Sequence, residues 1–185
     1  MLRRLQFLAL MVAAAFAAQP ALAQGLSPAQ VGAGFREGAG YCLEAGLRGL
    51  SVADLPPAER AGLAPSSDGA REMVDDFQGP LWDVLTAKGI VVLWEPTPNT
   101  CKVMAYGAPV DRTFKAILKD ARKRAPDLDP VKVEPGYEPI VYRLQQATPA
   151  ARLSLDLKGN EPGAPGHLFR FSKLHATVTR EAAKP

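Results

Sequence analysis

Ile90-Val91-Val92-Leu93-Trp94-Glu95, then Pro96-Thr97-Pro98-Asn99, then Cys101-Lys102-Val103-Met104-Ala105-Tyr106 read as a strand, a stop and an antiparallel partner. The first run is β-branched and aromatic, and the prolines end it because proline has no amide hydrogen to give to a ladder. Side chains alternate along a strand, so Cys101, Val103 and Ala105 share one face of the second run. Cys101 is thereby aimed at whatever packs on the hairpin.

Upstream, Ser27-Pro28-Ala29-Gln30 carries the marks of a helix start: a hydroxyl at the cap, proline in the first turn, and glutamine three residues on to reach back. A helix over 28–45 follows. Val31, Phe35, Ala39, Cys42 and Ala45 recur every three or four residues, which puts Cys42 on the buried face. The same helix holds Gly32, Gly34, Gly38 and Gly40, each costing about 1 kcal/mol relative to alanine. It needs tertiary support, and the glycines also allow a neighbouring backbone to come close. Cys42 and Cys101 are the only cysteines, so the simplest expectation is that they pair. The closed loop of 59 intervals corresponds to ~4 kcal/mol in the chain-entropy account.

From Gly46 to Asp68, glycine and proline punctuate a surface excursion with at most one short helix, and Arg71 to Phe77 adds a turn or two. Leu81 to Val84 is a candidate short strand. Val110, Phe114, Ile117, Leu118, Ala121 and Ala125 form an apolar helical stripe between Pro109 and Pro126. Beyond a loop with Asp127, Asp129, Pro130 and Pro135, three segments read as a strand meander. They are Ile140 to Gln145, the alternating Leu153-Leu155-Leu157 segment, and a last segment in which Phe169 and Phe171 give way to Leu174, Ala176 and Val178 on the other parity. A parity change without a turn residue predicts a bulge near Ser172 or Lys173.

The predicted fold is α+β: an antiparallel five-stranded sheet covered by helices, in the order helix, two strands, helix, three strands. This order resembles the profilin-like and roadblock-like arrangement over roughly residues 28 to 180. Such a resemblance implies architecture and no particular activity. The helix cysteine Cys42 with the Cys-x-Val strand Cys101-Lys102-Val103 is also similar to small uncharacterised secreted proteins of Gram-negative bacteria. That resemblance implies periplasmic residence.

Export is expected from residues 1–23 themselves. Arg3 and Arg4 precede an apolar run from Leu5 to Ala18 broken only by Gln6, and Ala21-Leu22-Ala23 is a small-x-small site. A run of ~14 residues falls short of the ~20 that span a bilayer. Cleavage near Ala23 leaves residues 24–185 as a single α+β domain, periplasmic or secreted, with no transmembrane segment. No cysteine follows the cleavage point to take a lipid. Removing the two arginines lowers Lys+Arg from 22 to 20 against 19 Asp+Glu, a balance unlike that of duplex-binding proteins, so nucleic acid is not an expected partner.

Residues with chemistry are few. His167 and His175 stand eight apart on one predicted strand, about 26 Å if extended, too far to share a metal. Neither a metal nor a cofactor is expected. No serine lies in a Gly-x-Ser-x-Gly turn. Asp75 with Asp76, and Glu134 with Glu138, keep a carboxylate mechanism open. Asp127-Leu128-Asp129 lacks the glycine and glutamate of a calcium loop. A basic helix face of Lys115, Lys119, Arg122, Lys123 and Arg124 is suited to an anionic envelope component, such as phosphorylated glycolipid, or to an acidic partner protein. Its plain alternative is a solvated face whose charges suit the negative helix end. Trp82 and Trp94 are candidates to line a ligand groove. The expected function is an exported, non-catalytic periplasmic binding or accessory protein, docking through a sheet face or an edge strand. The alternative is a small cell-envelope hydrolase using Asp or Glu carboxylates.

Overall fold

Ser27 opens the first helix by the reciprocal capping that its sequence announces: its hydroxyl accepts from the Gln30 amide, and the Gln30 side chain accepts from the Ser27 amide. In the computed structural model, which describes residues 25–66, 71, 74, 77, 79–133, 140–162 and 171–183, α1 covers Pro28–Arg48. It ends at Gly49, whose φ of 68° is left-handed and suits a residue without Cβ. The helix therefore runs three residues past the predicted end. Gly46 does not stop it, because a Cβ there would lie within 2.9 Å of Val178 and Leu153, so glycine lets the helix touch the sheet. Gly38 does the same against Val103. The close approach is made by side chains of the sheet and not by a neighbouring backbone.

The sheet corrects the sequence expectation. Among the described residues eight strands, not five, form one antiparallel sheet, and the order is helix, four strands, helix, four strands. The strands are β1 (Leu63–Pro65), β2 (Leu81–Val84), β3 (Val91–Thr97), β4 (Thr100–Tyr106), β5 (Asp129–Val131), β6 (Ile140–Ala147), β7 (Ala151–Asn160) and β8 (Lys173–Ala182). Their spatial order is β1-β2-β3-β4-β8-β7-β6-β5. β2 occupies the candidate short strand Leu81 to Val84, which the five-stranded order left uncounted; β1 and β5, three residues each, are too short to show a period of two, and each contains a proline. Proline is tolerated there because both are edge strands with one side free of the ladder. Their existence comes from the partner's register, Leu63 opposite Val84 and Asp129 opposite Gln145, and not from their own pattern.

Two further details differ from expectation. Pro96 does not end β3: the strand passes through it on a register shift between Trp94 and Thr97, one residue longer on β3 than on β4. The bulge expected near Ser172 is absent from the described β4–β8 ladder, which is unbroken from Thr100–Thr179 to Tyr106–Lys173. The parity change is simply where β8 begins. Phe171 lies outside the strand and is exposed, and Phe169 falls outside the described residues.

Both helices lie on one face of the sheet. α2 (Val110–Arg124) buries Val110, Phe114, Ile117 and Ala121, as its stripe requires. Phe114 meets Phe35 of α1 and the edge of Tyr142 on β6, both at 6.2 Å between ring centroids. Leu155, Leu157, Leu174 and Val103 complete this core from the sheet, each Leu contributing about 1.5–3 kcal/mol by burial. Cys42 of α1 is joined by a disulfide to Cys101 of β4, with Cα atoms 5.3 Å apart. Among the described residues, the opposite face carries a second, smaller core at the β2–β4 end, where Val74 covers Leu81, Val92, Trp94 and Met104. Beyond it, β8, β7 and β6 present His175, Thr177, Asp156 and Arg143, the polar side of an antiparallel sheet. No helix among the described residues is long and apolar enough to cross a membrane, which says nothing of β-barrel spans.

Candidate functional site

The apolar stripe of α2 fixes where its cations go. With one face committed to the core, Arg112, Lys115, Lys119 and Arg122, spaced by three, four and three, must form a stripe on the solvent side, with Lys123 beside it. The structure then sorts them. Lys115 is joined to Asp111 at 2.7 Å, and that contact lowers the Asp111 carboxyl below its ordinary range and raises the ammonium. Asp111 also accepts from the Tyr142 hydroxyl at 3.3 Å. Asp120 is paired with Arg36 of α1, whose hydrogen bond lowers the carboxyl. Arg124 turns toward α1, where Glu44 lies at 3.6 Å. Arg112, Lys119, Arg122 and Lys123 are exposed and have no ion-pair partner among the described residues.

Thus Lys119, Arg122 and Lys123 of the predicted face come together as open cations, while Lys115 is largely neutralised and Arg124 serves the contact between helices. Arg112 belongs to the stripe and was missing from the sequence reading, although its place three residues before Lys115 would have found it. Arg36 was also missing, and no sequence signal places it across the helix pair from Asp120. Trp82 is not part of this surface. Its ring is 8 % exposed and belongs to the core on β2, whereas α2 lies over β6 and β7. Trp94 lies on the other side of the sheet, with the Lys102 ammonium 6.0 Å from its ring centroid.

Carboxylates gather elsewhere, in an open cleft of about 450 Å³ beside α1. Glu37 accepts from the Tyr41 hydroxyl at 3.0 Å and the Thr86 hydroxyl at 2.7 Å. Arg48 binds Glu44 at 2.7 Å and Glu59 at 2.9 Å. Burial, followed by the hydrogen bond to Glu37, raises the Tyr41 phenol and makes it a poorer nucleophile. Each of these acids is committed to a structural contact. Among the described acids, Glu95 alone has a raised carboxyl. Burial is the main cause, opposed by the Val52 and Ala53 amides that donate to it and assisted by Asp54. It lies at a crevice of about 10 Å³ over the disulfide, room for no more than a water.

Asp75, Asp76, Glu134, Glu138 and His167 fall outside the described residues. His175 stands on the polar sheet face between Met104 and Lys158. Asp129 is taken into β5, and Leu128 between the two aspartates is buried. No group of three or more His, Cys, Asp or Glu among the described residues is arranged to hold a metal ion. A third hollow, about 170 Å³, separates the N-terminal halves of the two helices and is bordered by Arg36 and Arg112. No family model matches the chain, nor does any curated protein or solved structure.

Proposed function

We propose that the chain acts outside the cytoplasm, in the periplasm or beyond it, as a non-catalytic binding or accessory protein that presents α2 to an anionic envelope component. The observation that carries this reading is the set of exposed cations that no described acid holds in an ion pair, Arg112, Lys119, Arg122 and Lys123, the last near enough to Asp120 to lower its carboxyl, on a helix immobilised from beneath. Four cations within three turns concentrate positive potential on one ridge of a chain with near-neutral overall balance. Export is supported by residues 1–23 and by the Cys42–Cys101 disulfide, a bond that persists in oxidising compartments. Both edge strands carry a proline, Pro65 in β1 and Pro130 in β5, which opposes strand addition and favours the helix as the docking element.

The test is binding to phosphatidylglycerol-containing vesicles and to soluble polyphosphate. Replacing Lys119, Arg122 and Lys123 together by glutamine is expected to weaken vesicle binding about a hundredfold, from about 1 kcal/mol per cation near an anionic surface. Affinity should also fall steeply with added salt. Binding that ignores both the salt and the triple substitution would refute the proposal.

A further inference from the structure

We propose that the groove between the N-terminal halves of α1 and α2 holds the alkyl chain of a single-chain, phosphate-headed lipid, with the phosphate resting on Arg112. The inference deepens the preceding reading by naming what carries the anion, and it rests on that reading for the presence of an anionic partner.

The groove measures about 170 Å³, against the ~30 Å³ that one water occupies in the liquid, so it admits a short run of methylenes. Its walls include Pro28, Ala33, Pro109 and Ala116, none with a polar side chain. Proline also lacks an amide hydrogen, so each helix entry has one donor fewer to strand when an alkyl chain covers it. The one hydroxyl in the wall, on Thr113, is already spent: it donates to the Pro109 carbonyl at 2.6 Å. The helices draw together below, because Gly32 of α1 lies so near Thr113 that a Cβ would come within 2.9 Å of its hydroxyl oxygen. The hollow is therefore a fixed consequence of helix packing.

Charge complementarity selects the head group. Arg36 and Arg112 stand on the rim; Asp120 anchors Arg36, and Arg112 is exposed with no acid partner among the described residues. A planar guanidinium offers phosphate two parallel hydrogen bonds. Lys119 and Arg122 extend the same ridge, so an anionic surface met by α2 would deliver its lipid heads to Arg112.

Titration calorimetry with inorganic phosphate and straight-chain alkyl phosphates, kept below their micelle concentrations, tests the assignment. Affinity is expected to rise about fourfold per methylene until the groove is filled, then level off. Ala33→Trp, at an exposed position, should abolish the dependence on chain length while leaving polyphosphate binding unchanged. Ala116→Trp on the facing helix provides the same test should the first variant fold poorly. Arg112→Glu should lower affinity at least tenfold for every chain length. Alkyl phosphates that bind no tighter than inorganic phosphate, or a length dependence that survives both tryptophan variants, would overturn the groove and leave the cationic ridge standing. Loss of polyphosphate binding only upon Lys119, Arg122 and Lys123 substitution reports on the ridge by itself.

Discussion

Two glycines in α1 that look alike in sequence have opposite roles. A Cβ on Gly34 would lie 2.5 Å from the Ala87 Cβ, whereas one on Gly40 would meet only the end of Arg124 at 3.5 Å. Gly34→Ala is expected to destabilise by about 1–2 kcal/mol, overpacking outweighing the gain in helix propensity. Gly40→Ala should instead stabilise by about 0.5–1 kcal/mol. Urea unfolding of the two variants would separate them. Glu95 gives a pH signature of definite sign. Its folded carboxyl value lies above the unfolded one, so between the two the folded protein holds the extra proton. Its contribution therefore stabilises as pH falls through the folded value toward the ordinary glutamate range. Glu95→Gln, which keeps an oxygen to accept from the Val52 amide, should flatten that part of the pH–stability curve. From sequence, the inward direction of Cys42 and Cys101 was legible because periodicity encodes facing. The separate fates of Gly34 and Gly40 were not, because they depend on which strand residue lies opposite.

Among the elements, those with a full period of amphipathic pattern were readable. α2 spans Val110–Arg124 nearly as its stripe demands, and β4 and β6 begin within a residue of their expected starts. β1 and β5 were not readable as members of the sheet, since three residues carry no distinctive pattern and a proline argues against a strand until an edge position excuses it, whereas β2 coincides with the short strand read at Leu81 to Val84. The cationic ridge was legible as composition, but its sorting into paired and open charges needed α1, which supplies Arg36 to Asp120 and Glu44 to Arg124. The disulfide joins α1 to β4 across a sequence separation of 59. Reducing it, or replacing both cysteines by alanine, should lower unfolding free energy by up to about 4 kcal/mol. Thiol titration of unreduced, denatured protein should find no free cysteine, as the described chain shows none.

Across the whole molecule, the sheet is two runs of four strands joined by a single ladder. β1 to β4 are neighbours in chain order, β5 to β8 likewise, and β4 meets β8 at the seam. Hydrogen exchange should accordingly be slowest in β4, β8 and β7, whose neighbours protect both sides, and fastest in the outermost β1 and β5. Cross-strand pairs such as Arg143 with Asp156, joined by two hydrogen bonds of 2.5 and 2.7 Å, lie within the second run and steady it without bearing on the seam. The seam has a bearing on timing. Thr100 awaits Thr179 and Tyr106 awaits Lys173, so the two halves cannot lock together until the tail has been synthesised. A chain truncated before Lys173 would leave the inner margins of β4 and β7 bare in the middle of the sheet, so shortened products should be the form most inclined to stick to one another.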